Sequence, residues 1–113
     1  MFKRESGNWV EYRELPDLMH VDFHYESSET LGSYWENMED VAKKTLRALM
    51  RAQEEGNQYV LFGHGHSTSR IGKVTARSQV RKVMRSKEAT PYIVRSRCIQ
   101  HYSVFVAAIR PRP

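Results

Sequence analysis

The sequence predicts one compact α/β domain of βαβαββ order, with a four-stranded mixed sheet and two helices. Three observations carry this expectation. Residues 19–26 alternate with a period of two, two later stretches repeat apolar residues at helical spacing, and residues 102–109 are apolar almost throughout. At 113 residues the chain has room for one core and not for two.

Residues 1–18 read as a polar lead-in to a domain spanning 19–110. Trp9, Val10 and Tyr12 are placed to pack on that domain, and Pro16-Asp17 marks a turn. Met19, Val21, Phe23 and Tyr25 then point one way while His20, Asp22, His24 and Glu26 point the other, which is a strand. Ser33 and Glu36 have capping-box spacing, and Trp35, Met38, Ala42, Thr45, Leu49 and Ala52 recur along one face of a long helix. Gly56 suits a left-handed cap at its end. Gln58 to Phe62 is a short apolar run, hence a buried strand. Gly63 to Gly72 is a loop, and a second helix is expected over Lys73 to Lys87 with Ala76, Val80, Val83 and Met84 inward, ended by Pro91. Tyr92 to Arg97 and Tyr102 to Ile109 complete the sheet, the last strand centrally placed because it lacks polar alternation.

Apolar residues make up 40% of the chain and charged residues 27%, the balance of a folded water-soluble domain. One cysteine, Cys98, expected in the turn between the last two strands, excludes an intrachain disulfide and a cysteine-based zinc finger. No apolar run approaches the roughly 20 residues of a membrane span. The opening MFKRESGNW lacks the apolar stretch of a secretory signal, so a cytoplasmic protein without a membrane partner is expected. Charge is unevenly spread. Residues 1–60 carry seven basic and twelve acidic side chains, whereas residues 61–113 carry eleven basic and one acidic. Such asymmetry points to a polyanion, with nucleic acid the first candidate. The plainer alternative is a basic solvated surface.

A strand–helix–strand unit joins parallel strands, and ligands collect beyond their carboxyl ends. Asp22, His24, His64 and His66 are therefore expected along one sheet edge. The loop Gly63 to Gly72 brings backbone amides and a helix N-terminus to that edge, with Arg70 and Lys73 beside it, a suitable place for a phosphate. It is neither a Walker A motif, since Val74 follows Gly72-Lys73, nor GxGxxG, since Thr68 takes the third glycine position. Lys73, Arg77, Arg81 and Arg85 form a ladder at four-residue spacing with no acid interleaved, for which phosphate contact is the expectation and an ordinary solvated face the alternative. His20, Asp22, His24 and His64 also have the chemistry of a zinc or manganese site, and a hydrogen-bonded polar strand face is the plainer reading of the same residues.

At these residues the chain resembles the Smr (small MutS-related) domain family, over about residues 19–110. Val21-Asp22-Phe23-His24 matches its LDxH motif, and Phe62-Gly63-His64-Gly65 aligns with its HGxG motif, with phenylalanine replacing the leading histidine. Tyr25 stands where a glycine is usual, Gln100-His101-Tyr102-Ser103 where a glycine-rich turn is usual, and YESSETLGSYWE reads as an extra loop. The resemblance implies nucleic-acid binding with endonuclease activity on DNA or RNA. It makes Asp22 and His24 the catalytic candidates and Gly63, His64 and Gly65 the loop nearest the phosphate, the role of the leading histidine being either absent or passed to His64 or His66.

The expectation is thus a phosphodiester hydrolase in which His24 is the general base, Asp22 orients it or holds magnesium or manganese, and His64 protonates the leaving oxygen. Gly63, Gly65, His66, Arg70, Lys73, Arg77, Arg81 and Arg85 would bind the nucleic acid. The alternatives are a non-catalytic nucleic-acid-binding module and a metal-dependent hydrolase of a small phosphorylated substrate.

Overall fold

In the computed structural model the described residues are 2–23, 31–64 and 76–112, the side chains of 31–38 excepted. The strands are β1 (Lys3–Glu5), β2 (Leu18–Asp22), β3 (Tyr59–Gly63), β4 (Ile99–His101) and β5 (Val104–Ala108). The helices are α1 (Leu31–Glu55) and α2 (Ala76–Arg85), with short 3-10 turns at Trp9–Glu14, Lys87–Ala89 and Arg95–Arg97. The sheet order is β1-β4-β5-β3-β2. β5 runs antiparallel to both of its neighbours, and β1 and β2 run parallel to the strands they flank.

The α/β class and the two helices follow the sequence reading, but the sheet has five strands rather than four. The additional strand, β1, pairs with β4 in the register Lys3↔Ile99 and Arg4↔Gln100. Three residues with two exposed cations carry no apolar alternation, so the sequence gives this strand no signal. Tyr92 to Arg97 is not a strand. Ile93 makes a single bridge to Ile109, after which the chain turns through a 3-10 helix, and the pairing passes to Ile99–His101. α1 starts at Leu31, so Ser33 lies inside the helix instead of capping it, and part of the expected extra loop is helical.

The long helix ends as its glycine predicts. Gly56 takes φ +79, and the Asn57 and Gly56 amides donate back to Ala52 and Gln53, a Schellman closure. The chain then enters β3, whose start is tied to that of β2. The Gln58 amide and the Asn57 side chain both donate to the Asp17 carbonyl, where the chain turns with φ 49. β5 is buried along its whole length, as its apolar run implied.

Alternation divides the core between two faces. Val60, Phe62, Phe105 and Ala107 pack with Val41, Leu49 and Ala52 of α1 and Val80 and Met84 of α2. Leu61, Val104 and Val106 face the other way and are covered by Trp9, Tyr12, Leu15 and Leu18. The lead-in therefore closes one face of the sheet with its 3-10 turn and extends one edge with β1. Val10, expected to pack, is exposed. Among the described residues no helix is long and apolar enough to cross a membrane.

Candidate nucleic-acid interface

Parallel pairing of β2 with β3 brings Asp22 directly opposite Gly63 at the carboxyl end of both strands. Phe23 continues the pairing by donating its amide to the Gly63 carbonyl at 2.9 Å, and its ring stacks on Phe62 at 6.0 Å. Gly63 is small for a local reason. A Cβ there would lie 3.0 Å from Asp22 Oδ1 and 3.8 Å from His20 Nε2, so the absent side chain leaves the space over which the Asp22 carboxylate lies. Asp22 is exposed. His64, the next residue, is only 3% exposed, which sets its imidazole beneath the surface rather than on it. His24, Gly65, His66, Arg70 and Lys73 lie outside the described residues.

The ladder on α2 is a real row. Ala76, Val80 and Met84 are buried, and Arg77, Arg81 and Arg85 each follow one of them, so the cations lie along one flank of the packed face. Arg77 lies over the ring of Tyr102 at 4.7 Å, beside the connection from β4 to β5. Arg81 donates from Nη2 to the His101 carbonyl at 3.2 Å, while its Nε is buried without an acceptor. Arg4, from β1, joins the same field. Burial first, and then the charges of Arg77, Arg85 and Arg4, lower the Arg81 pKa from its ordinary value, leaving a guanidinium that is still cationic.

None of these four arginines pairs with a described carboxylate. On α1, by contrast, Lys44 pairs with Asp40 and Arg51 with Glu55, each at 2.9 Å and one helical turn apart. Two of the four cations of α1 are thus paired within their own helix, whereas the arginines of α2 have no such carboxylate beside them. An assembly of like charges that includes a half-buried member is complementary to a polyanion.

Sequence reasoning missed several contributors. Arg4 was assigned to the lead-in, and its long-range pairing leaves no local trace. Tyr102, 52% exposed beneath Arg77, lies in the connection ahead of β5 and not at the start of that strand, where the apolar run places it. His101, 4% exposed, is a clamp: Nδ1 accepts the Ser103 amide at 3.0 Å, which makes Nε2 the donor to the Gly7 carbonyl at 2.8 Å. Tyr12 meets the His101 ring edge-on at 5.9 Å and donates its hydroxyl to Glu5 at 2.6 Å. That bond holds the Glu5 carboxyl below its usual range, and burial with the adjacent carboxylate pushes the Tyr12 phenol well above its own. These contacts fix β1, and with it Arg4, beside α2. Cys98 is fully buried ahead of β4 and not in the turn between the last strands.

Asp22 and Arg4 do not share one spot. β2 and β1 are opposite edges of the sheet, four strand spacings or about 19 Å apart. Asp22 and His20 are the side chains that a Cβ at Gly63 would approach, and among the described residues no group of three His, Cys, Asp or Glu side chains clusters as a metal site. The chain matches no protein-family model, and no curated protein or solved structure is found to be similar to it.

Proposed function

We propose that the protein is a nucleic-acid-binding domain of Smr-like design, holding the phosphate backbone along α2. The observation that carries this reading is the row Arg77, Arg81 and Arg85 with Arg4 beside it, none of them paired with a described carboxylate. A side-chain row at helical spacing reads phosphates, so it positions a strand without selecting a sequence. The Tyr102 ring beneath Arg77 offers a face on which a base can stack.

Endonuclease activity is the second reading, favoured by the exposed Asp22 carboxylate lying over Gly63. In that chemistry His24 takes the proton of a water attacking phosphorus, the P–O bond to the leaving oxygen breaks as that oxygen takes a proton from solvent water, and Asp22 orients the base. A divalent ion on Asp22 would instead supply charge at the phosphate, with His20 the neighbouring donor. The buried His64 fits a wall of the site better than a donor that must reach a polymer.

The experiment is incubation with labelled single-stranded, duplex and branched DNA and RNA, with magnesium, manganese or chelator. Binding that weakens with salt supports the interface, and a flat salt response removes it. For cleavage, Asp22→Asn and His24→Ala are expected to lower the rate by about 10²–10⁴-fold with binding little changed. A wild type that binds the panel and cuts nothing leaves the binding module alone.

A further inference from the structure

Below the arginine row, where α2 ends against the β1 edge, lies a cavity of ≈ 440 Å³ lined by Phe2, Arg4, Arg85, Arg95 and Gln100. Three of its five lining residues are arginines and none is acidic. The register of β1 on β4 sets Arg4 beside Gln100. Phe2 is held edge-on against Phe105 with ring centroids 5.0 Å apart. Arg95 is a fixed wall, since it donates to the carbonyls of Met84 and Ser86 and to the Thr90 hydroxyl at 2.7–3.0 Å. Arg4 and Arg85 have no hydrogen-bond or ion-pair partner among the described residues, so their forks remain available.

This inference rests on the nucleic-acid reading and gives it a point of attachment. We propose that the cleft holds the terminal phosphomonoester of a nucleic-acid strand, with Arg4 and Arg85 gripping the dianion and Phe2 and Gln100 contacting its nucleotide. Charge favours an end over the middle of a strand. A phosphomonoester carries about −1.5 to −2 near neutrality, whereas an internal phosphodiester carries one negative charge. Guanidinium forks bind such an oxyanion bidentately, and the two available forks of Arg4 and Arg85, with the charge of Arg95 behind them, suit a dianion better than a single passing phosphate. Volume adds a second argument. The cavity falls within the roughly 300–1,000 Å³ of small-molecule sites and exceeds a bare phosphate, and the remaining space is walled by an aromatic ring and an amide. Arg81, the next cation up the row, repels Arg4 and Arg85 as neighbours, and a dianion between them relieves all three.

The test compares one single-stranded oligonucleotide in three forms, with a 5′-phosphate, a 3′-phosphate, or hydroxyls at both ends, by fluorescence anisotropy at fixed salt. One phosphorylated form is expected to bind about tenfold more tightly than the hydroxyl form, and which form does so identifies the end recognised. Arg4→Gln, on an exposed edge position, is expected to bring that preference within about threefold. The ratio of phosphorylated to hydroxyl affinity is what is read, because Arg4 also belongs to the field that holds the backbone and its loss weakens both forms. Equal affinity for all three forms overturns the cleft and leaves backbone binding standing. Binding of none overturns both. Should Arg4→Gln fail to fold, inorganic phosphate decides on the wild type. Phosphate that abolishes the preference alone supports the cleft, and phosphate that weakens the three forms equally acts as salt and overturns it.

Discussion

Replacing Arg77 and Arg85 together by glutamine is expected to flatten the salt dependence of nucleic-acid binding by a calculable amount. Each neutralised phosphate contributes about −0.9 to the slope of log affinity against log salt on duplex DNA and about −0.7 on single strands. The three arginines of α2 alone then give about −2.7 on duplex, so raising salt from about 50 to 200 mM weakens binding about 40-fold. The double variant leaves Arg81, for a contribution of about −0.9 and a loss of about 3.5-fold across the same range. Basic residues beyond α2 steepen both slopes equally, so the difference of about 1.8 is the tested quantity. The two substitutions are chosen for what they spare. Arg85 is exposed and Arg77 lies over a half-exposed Tyr102, whereas Arg81 bonds the His101 carbonyl and is kept. Loss of the cation–π contact costs about 0.5–1 kcal/mol of stability, too little to unfold the domain. Anisotropy titrations at four salt concentrations, with thermal unfolding as control, measure the slopes. A folded double variant that binds more weakly but keeps the wild-type slope would refute the assignment of these arginines to phosphates.

Gly63→Ala sets a methyl 3.0 Å from Asp22 Oδ1, and the exposed carboxylate can swing away. Melting temperature is therefore expected to change by a few degrees at most, while any cleavage falls at least about tenfold through misplacement of Asp22; unchanged cleavage would remove Asp22 from the reaction. Cys98→Ser is expected to cost about 1–2 kcal/mol without altering binding, because Sγ is buried, accepts the Ala108 amide and donates to the Val94 carbonyl, both at 3.4 Å. Burial pushes the Cys98 thiol pKa up, so a thiol reagent should label it only after denaturant is added, and fast labelling of the native protein would contradict its placement. Tyr12→Phe is expected to destabilise the fold by about 1 kcal/mol at pH 7, since a hydrogen bond to a partly exposed carboxylate is lost. The folded Glu5 pKa lies below the unfolded value, so this contribution is present above about pH 4.3 and disappears as pH falls through the folded value. Urea titrations of both proteins should therefore converge in acid, and a gap that persists there would assign the effect to packing.

The legible parts of the fold were those whose signal is local and apolar. β5 announced its central place by an unbroken apolar run, and α1 by the spacing of Leu49 and Ala52 with Gly56 behind them. The α2 ladder was legible for the same reason, since a four-residue period fixes a flank whatever the helix packs on. Ile93 and Val94 looked like strand residues, yet Arg95 turns to bond the carbonyls at the end of α2, and that competing partner ends the strand after one bridge. β1, the His101 clamp and the Arg4 cleft depend on partners more than ninety positions away, as Lys3↔Ile99 and His101 with Gly7 illustrate. A pattern within a window cannot encode such a partner.

The same separation bears on the order in which the domain is made. Contacts between residues so far apart in sequence close the largest loop the chain contains, and that entropy must be met before the contact contributes anything. During synthesis the Lys3–Glu5 segment leaves the ribosome long before Ile99–His101 exists. Until they meet, the open edge of β4 exposes unpaired backbone groups, the kind of template on which nascent chains associate. Arg4 and Glu5 put charge on the segment that must wait, which keeps it soluble meanwhile. The arginine cleft is accordingly a late product of folding, complete only once Arg95 and Gln100 have been translated, so a nascent chain that stops short of them would carry the α2 row without the pocket at its foot.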